Sequence, residues 1–159
     1  LLHPQSRGRV ETVSPDVAVA PRIHAGFLAE EADALTLARG LRLARNVFTQ
    51  AVLDPIRGDE ILPGPRADAD AALVDYVRAN CASFHHACGT CRMGSDAAAV
   101  VDPSLRVNGV ERLRVADASV MPDLVGGNIN ACVLMIGERA AALIRGGATA
   151  TKLADAASS

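Results

Sequence analysis

Apolar residues return at helical spacing between Glu30 and Asp54, where Leu37, Leu41, Ala44 and Phe48 share a face. Arg39, Arg42 and Arg45 fall on another face, most simply a solvated one. Asp33, near the start, suits a cap or complements the helix dipole, and Pro55 stops the helix. The loop Glu60-Ile61-Leu62-Pro63-Gly64-Pro65 follows, then a second helix whose best-defined stretch is Ala72–Arg78. Upstream the chain is rich in turns, with a short strand over Val10–Val13 and a second over Arg22–Leu28.

Beyond Val100 the period changes. Leu105-Arg106-Val107 and Leu113-Arg114-Val115 alternate apolar and charged residues, the pattern of half-buried strands. Asn108-Gly109 between them predicts a hairpin with a type I′ turn, because both residues tolerate positive φ. Pro122 stops regular pairing, and Gly126-Gly127-Asn128-Ile129-Asn130 leads into a final helix over Asn130–Arg145. That helix is apolar nearly all round (Val133, Leu134, Ile136, Ala140, Leu143, Ile144), which predicts burial. Gly146-Gly147 ends it, and the Ala- and Ser-rich tail 148–159 is expected to be mobile.

Half of the 159 residues are hydrophobic, enough for a real core, but aromatics are only 3% and Trp is absent, so Ala, Val, Leu and Ile must carry it. A net charge of -2 with scattered arginines argues against a nucleic-acid partner. No stretch of eighteen apolar residues is present, so no membrane span is expected. The opening Leu1-Leu2-His3-Pro4 shows no signal-peptide pattern and reads as the middle of something longer.

Cysteines stand at 81, 88, 91 and 132, and Cys88-Gly89-Thr90-Cys91 is a CxxC, which can mark a redox pair or half a zinc site. No second CxxC follows and the spacing to His85 and His86 suits no common zinc module, so no metal is expected. Reduced, buried thiols in a cytoplasmic protein are the simpler reading. Two segments carry candidate chemistry. In Phe84-His85-His86-Ala87-Cys88-Gly89-Thr90-Cys91-Arg92-Met93-Gly94 a histidine could act as a general base, although on spacing alone hydrogen-bonded structural histidines are simpler. In Gly126–Asn130 a helix start offers unpaired N–H groups and a partial positive charge to an anion, although an ordinary Asn cap would look the same.

Taken in order, these segments resemble the C-terminal signature of the glucose–methanol–choline (GMC) oxidoreductase family, most of all its choline dehydrogenase branch. The resemblance runs through Phe84–Gly94, Val101–Val110, Leu113–Pro122 and Gly127–Ala131 with the apolar helix. Upstream, Pro4-Gln5-Ser6-Arg7-Gly8-Arg9-Val10 resembles the family's Pro-x-Ser-Arg-Gly strand, and Asp59–Gly64 its loop before the second helix, so nearly the whole chain to about Gly146 is covered.

The resemblance implies FAD as cofactor, an alcohol as substrate, and oxidation at a CH–OH group. It makes His86 the catalytic base, with Ala87 where relatives usually carry proline, and Asn130 the second catalytic group. It places His85, Asp117, Ala118, Asn128, Ile129, Asn130 and Ala131 at the cofactor, and leaves Cys88 and Cys91 as packing residues of the turn that aims His86. Residues 1–147 then form the family's C-terminal region, a substrate domain plus a final flavin-contacting helix. The dinucleotide fingerprint GxGxxG is missing, so the N-terminal flavin-binding domain is expected to come from residues outside this sequence. The expected architecture is α+β, an antiparallel sheet with helices on one face. A non-catalytic remnant, or a flavin-containing lyase on the same scaffold, is the alternative reading.

Overall fold

Strands β1 (Arg9–Glu11) and β2 (Arg22–His24) pair antiparallel, with Val10 opposite Ile23. They belong to the first of two units in the computed structural model, which describes residues 1–146; this unit is built from His3–Ser83, and the other begins at Phe84. Gly147 and the tail 148–159 lie outside the described residues.

The ribbon is shorter than its sequence suggests, and neither of its faces is buried, since Val10 and Ile23 are both exposed. The sheet-covered-by-helices picture therefore needs correction in this unit. Three-residue strands cut short by Pro15 and Pro21 offer too little apolar surface to recruit a helix layer. The unit is closed instead by backbone contact. A Cβ on Gly8 would lie 2.3 Å from the His24 carbonyl oxygen, and one on Gly26 would lie 2.3 Å from that of Arg7. Gly26 also adopts φ +66°, so the two chain segments approach as only glycine permits.

Helix α1 (Glu31–Phe48) packs on α2 (Asp70–Asn80). Its core stripe is Ala34, Leu37, Ala38 and Leu41, facing Val74 and Val77, with Leu28 closing one end. Leu73 is fully buried, worth about 2 kcal/mol by area. The stripe excludes Phe48, which is exposed. The helix ends at Phe48, not near Asp54, because Thr49 Oγ1 and Gln50 Nε2 both donate to the Asn46 carbonyl and satisfy the last turn. A 3₁₀ turn over Ala51–Leu53 follows.

Asp33 does not cap α1. Its buried carboxylate accepts hydrogen bonds from the Gln5 amide (2.9 Å), the Ser6 amide (2.8 Å) and the Ser6 hydroxyl (2.5 Å). Burial alone would raise this carboxyl's pKa; the bonds from Ser6 and Gln5, with the Arg7 charge, outweigh it and hold the group below the ordinary carboxylate value. The arginine stripe is also not simply solvated. Arg42 donates to Asp68 O (2.9 Å) and Asp70 Oδ1 (2.5 Å). Arg45 grips both Glu60 oxygens and donates to the carbonyls of Gly64 (3.0 Å) and Ala67 (2.7 Å), so the two brace the loop before α2.

In the second unit, Val101, Leu105, Val120, Met121, Ile129, Ile136 and Ala140 form one core. Helix α3 (Asn130–Ile144) contributes Ile136 and Ala140. The expectation of a buried final helix is corrected: Leu134 is 67% exposed, Met135 59% and Ile144 67%, because the core reaches only one side of the helix. The hairpin is corrected too. Isolated bridges, Arg106 with Arg114 and Val101 with Val107, replace regular strands. Gly109 alone takes positive φ (+77°) in the turn closed by the Val110 amide on Val107 O, so it is not type I′. Asn108 is drawn aside: its amide donates to Val100 O and its side chain to Ala99 O, each at 2.9 Å.

Candidate active site

The segment that carries the histidines is anchored at its far end. Gly89, Cys91 and Met93 donate their amides to consecutive carbonyls, those of Ala118 (3.3 Å), Ser119 (2.9 Å) and Val120 (2.8 Å). Gly89 takes φ +85°, with the Met121 carbonyl oxygen 3.3 Å from where a Cβ would sit. Cys88 packs against the core of the unit. Beyond the strand-like stretch, Arg92 and Asp96 form a two-pronged pair (2.9 and 2.6 Å), and the Arg92 hydrogen bond holds the Asp96 carboxyl down to about 2. Gly94 sits inside that turn, where a Cβ would come within 2.9 Å of Asp96 Oδ2.

The acceptor side of this anchor is itself braced. Asp117 receives the Ser119 amide (2.8 Å) and hydroxyl (2.5 Å) on Oδ1, which caps the 3₁₀ turn Ala118–Val120. The chain then passes through Leu124 and Val125, which pack on the core, to the buried Ile129 at the start of α3.

These two anchored segments bring His86 to Asn128, with Nε2 and Oδ1 3.2 Å apart. The ring of Phe84 meets the His86 ring edge to face at a centroid distance of 5.9 Å. His86 is half-buried, whereas His85 is exposed and takes φ +60°, a left-handed conformation unusual for a residue with a side chain. The two neighbouring histidines thus occupy different surroundings.

The other residues singled out in the sequence divide by what they can offer. Asn130 is the exposed first residue of α3, two positions past Asn128, and no hydrogen bond joins it to His86. Ala131 is exposed beside it. The Ile129 side chain is in the core, so only its backbone is left to meet a ligand; as N-cap it provides no side-chain hydrogen bond, and the first-turn N–H groups of α3 have no partner within the helix. Ala118 is half-buried, and its carbonyl is taken by Gly89 and Met121. Asp117 is exposed. Nothing in the sequence indicates that Asn128 and Phe84 flank His86. Among the described residues no three His, Cys, Asp or Glu side chains gather as a metal-holding group, and no helix is long and apolar enough to cross a membrane.

A family model described as GMC oxidoreductase matches residues 4–137. The oxygen-dependent choline dehydrogenase of Klebsiella pneumoniae subsp. pneumoniae is 44% identical over 141 residues, covering 89% of this chain and 26% of that protein. The enzyme of the same name from Proteus mirabilis is 42% identical, covering 89% of this chain and 25% of that protein. The chain therefore spans about a quarter of the length of these curated relatives. Among solved structures, pyridoxine 4-oxidase from Mesorbium loti superposes with a TM-score of 0.82 at 38% identity, over 88% of this chain and 27% of that one. Aspergillus oryzae RIB40 formate oxidase, solved for the effect of a mutation on FAD modification, gives 0.81 at 31% identity, over 87% of this chain and 24% of that one. The family match spans both units and nearly every segment described above, and the chain belongs to the GMC oxidoreductase family.

Proposed function

We propose that this chain is the C-terminal part of an FAD-dependent alcohol oxidoreductase, and that His86 is its base. The observation that carries the reading is the half-buried His86 fixed beside the uncapped start of α3, in a family whose neighbours include a formate oxidase studied for its FAD. The residues fit such a cofactor from one side. An exposed helix start with no side-chain cap favours negative charge, and Asn130, Ala131 and the backbone of Ile129 stand there, with His85, Asp117, Ala118 and Asn128 as the further residues toward the ring. When bound, FAD supplies the acceptor for the hydride that leaves the alcohol carbon.

An alcohol cannot release that hydride until its O–H proton is leaving. His86 takes the proton, Asn130 holds the oxygen by hydrogen bond, and the carbon–oxygen double bond forms as the C–H electron pair departs. The first-turn amides of α3 favour the negative charge that accumulates opposite. We assign the substrate to the alcohols, as in the choline dehydrogenase relatives. The adenosine and diphosphate of FAD are left to an N-terminal domain outside these residues, since no GxGxxG is present. We assign the protein to a reducing, cytoplasmic setting, where its four cysteines serve as packing residues. The test is anaerobic mixing of the flavin-loaded enzyme with alcohols: bleaching of the yellow chromophore is expected, and a flavin that no alcohol bleaches would point to the remnant or the lyase.

A further inference from the structure

We propose that the second unit carries a further binding site, an arginine-lined cleft that takes a small organic monocarboxylate. None of its residues belongs to the site around His86. Arg106, Arg112 and Arg114 line this open cleft together with the apolar side chains of Val110, Leu113 and Ile144. Arg106 and Arg114 are antiparallel bridge partners. The bridge is flanked by the bonds from the Val107 amide to Leu113 O (3.0 Å) and from the Val115 amide to Leu105 O (3.1 Å). Like charges placed directly opposite one another on two strands repel, so this pairing calls for negative charge nearby.

The chain supplies only part of that charge. Asp102 Oδ2 accepts from Arg106 Nε at 2.8 Å, while its Oδ1 is occupied by the amides of Ser104 (2.8 Å) and Arg106 (2.9 Å). Arg114 reaches a neutral acceptor, the Ser104 carbonyl. Arg112 makes no hydrogen bond or ion pair among the described residues. Its backbone sits at φ +60°, so a position that glycine would occupy without strain holds a guanidinium at the cleft instead. Glu111, the remaining carboxylate of the cleft, is exposed and pairs with none of the three arginines. Three guanidiniums against two carboxylates leave one positive charge in excess, in a chain whose net charge is -2.

The two kinds of wall define the ligand. A guanidinium presents a planar fork that a carboxylate meets with two hydrogen bonds. The apolar wall is open to solvent, with Val110 51%, Leu113 49% and Ile144 67% exposed. A bare inorganic anion would satisfy the fork and leave that wall wet. An uncharged apolar molecule would cover the wall and desolvate guanidinium groups without pairing them. A carboxylate on a short alkyl or aryl body does both.

Isothermal titration of the flavin-loaded enzyme with hexanoate tests the assignment, with hexanamide and inorganic phosphate as comparisons. Hexanoate is expected to bind more tightly than either, and Arg112→Gly to weaken it by roughly 10–100-fold. Glycine suits the left-handed backbone, so this variant keeps the turn. Arg112→Lys retains the charge without the fork and should fall between the two. Failure of hexanoate to bind, or equal binding by wild type and Arg112→Gly, overturns the proposal. So does hexanamide binding as tightly as hexanoate, which would leave only an apolar groove, or phosphate doing so, which would leave a general anion site. A flavin absorbance change on adding hexanoate that survives Arg112→Gly would seat the ligand at the flavin and overturn it as well.

Discussion

The hydroxyl of Ser6 lies 2.5 Å from an Asp33 carboxylate oxygen, so the Pro-x-Ser-Arg-Gly segment is tied to the start of α1 through one buried acid. Removing that acid leaves the Gln5 amide, the Ser6 amide and the Ser6 hydroxyl without their acceptor. Asp33→Ala is expected to cost about 2–4 kcal/mol in a thermal or urea unfolding experiment. The pH dependence follows from the direction of the shift. The folded carboxyl titrates below its unfolded value of 3.8, so its contribution is complete above that pH and is lost as pH falls through the folded pKa. Wild-type stability should therefore fall below about pH 4 more steeply than that of Asp33→Ala.

Arg45 braces the loop ahead of α2 through four acceptors, while Arg39 on the same helix has no hydrogen bond or ion pair among the described residues. Arg45→Ala is expected to destabilise the protein by about 1–2 kcal/mol and to make the segment from Asp59 to Asp68 a preferred site of limited proteolysis. Arg39→Ala should change neither by a measurable amount.

What the sequence disclosed, and what it hid, has a physical pattern. Helical periodicity found α1, α2 and α3, because burial on one side leaves a stripe that local spacing records. Hidden features depended on distant partners. Asp33 looks like a dipole residue until Ser6 is brought to it across 27 positions. Arg45 looks solvated until Glu60 folds back. Asn108-Gly109 looks like a tight hairpin until Asn108 is claimed by Ala99 and Val100. At the site, motif order alone singled out His86, whereas its contact with Asn128 spans 42 residues and leaves no local trace.

The two adjacent histidines give a test of register. His86→Ala in the flavin-loaded enzyme is expected to retain flavin and slow flavin reduction by roughly 10²–10⁴-fold. His85→Ala, at an exposed residue in the left-handed region, should affect chemistry far less. Stopped-flow reduction at saturating alcohol separates them, and a reversed order would shift the base by one residue.

The exposed side of α3 sets the behaviour of residues 1–159 expressed alone. Ala131, Leu134 and Met135 lie at the i, i+3, i+4 spacing that places them on one face, and all three are exposed, whereas Ile136 and Ala140 are buried and Val133 and Leu143 half-buried. The apolar surface is therefore narrower than a helix exposed all round, but it begins at the uncapped helix start. If the proposed flavin domain normally covers this face, the isolated polypeptide should be colourless, inactive on alcohols and prone to self-association, since contiguous apolar patches beyond about 400 Å² favour it. Leu134→Glu with Met135→Lys should then reduce light scattering of the isolated chain at equal concentration. The same pair of changes in the flavin-loaded enzyme should do the opposite, loosening the cofactor by breaking the covering contact. A yellow monomer from residues 1–159 alone, unaffected by the two substitutions, would show that this face needs no cover.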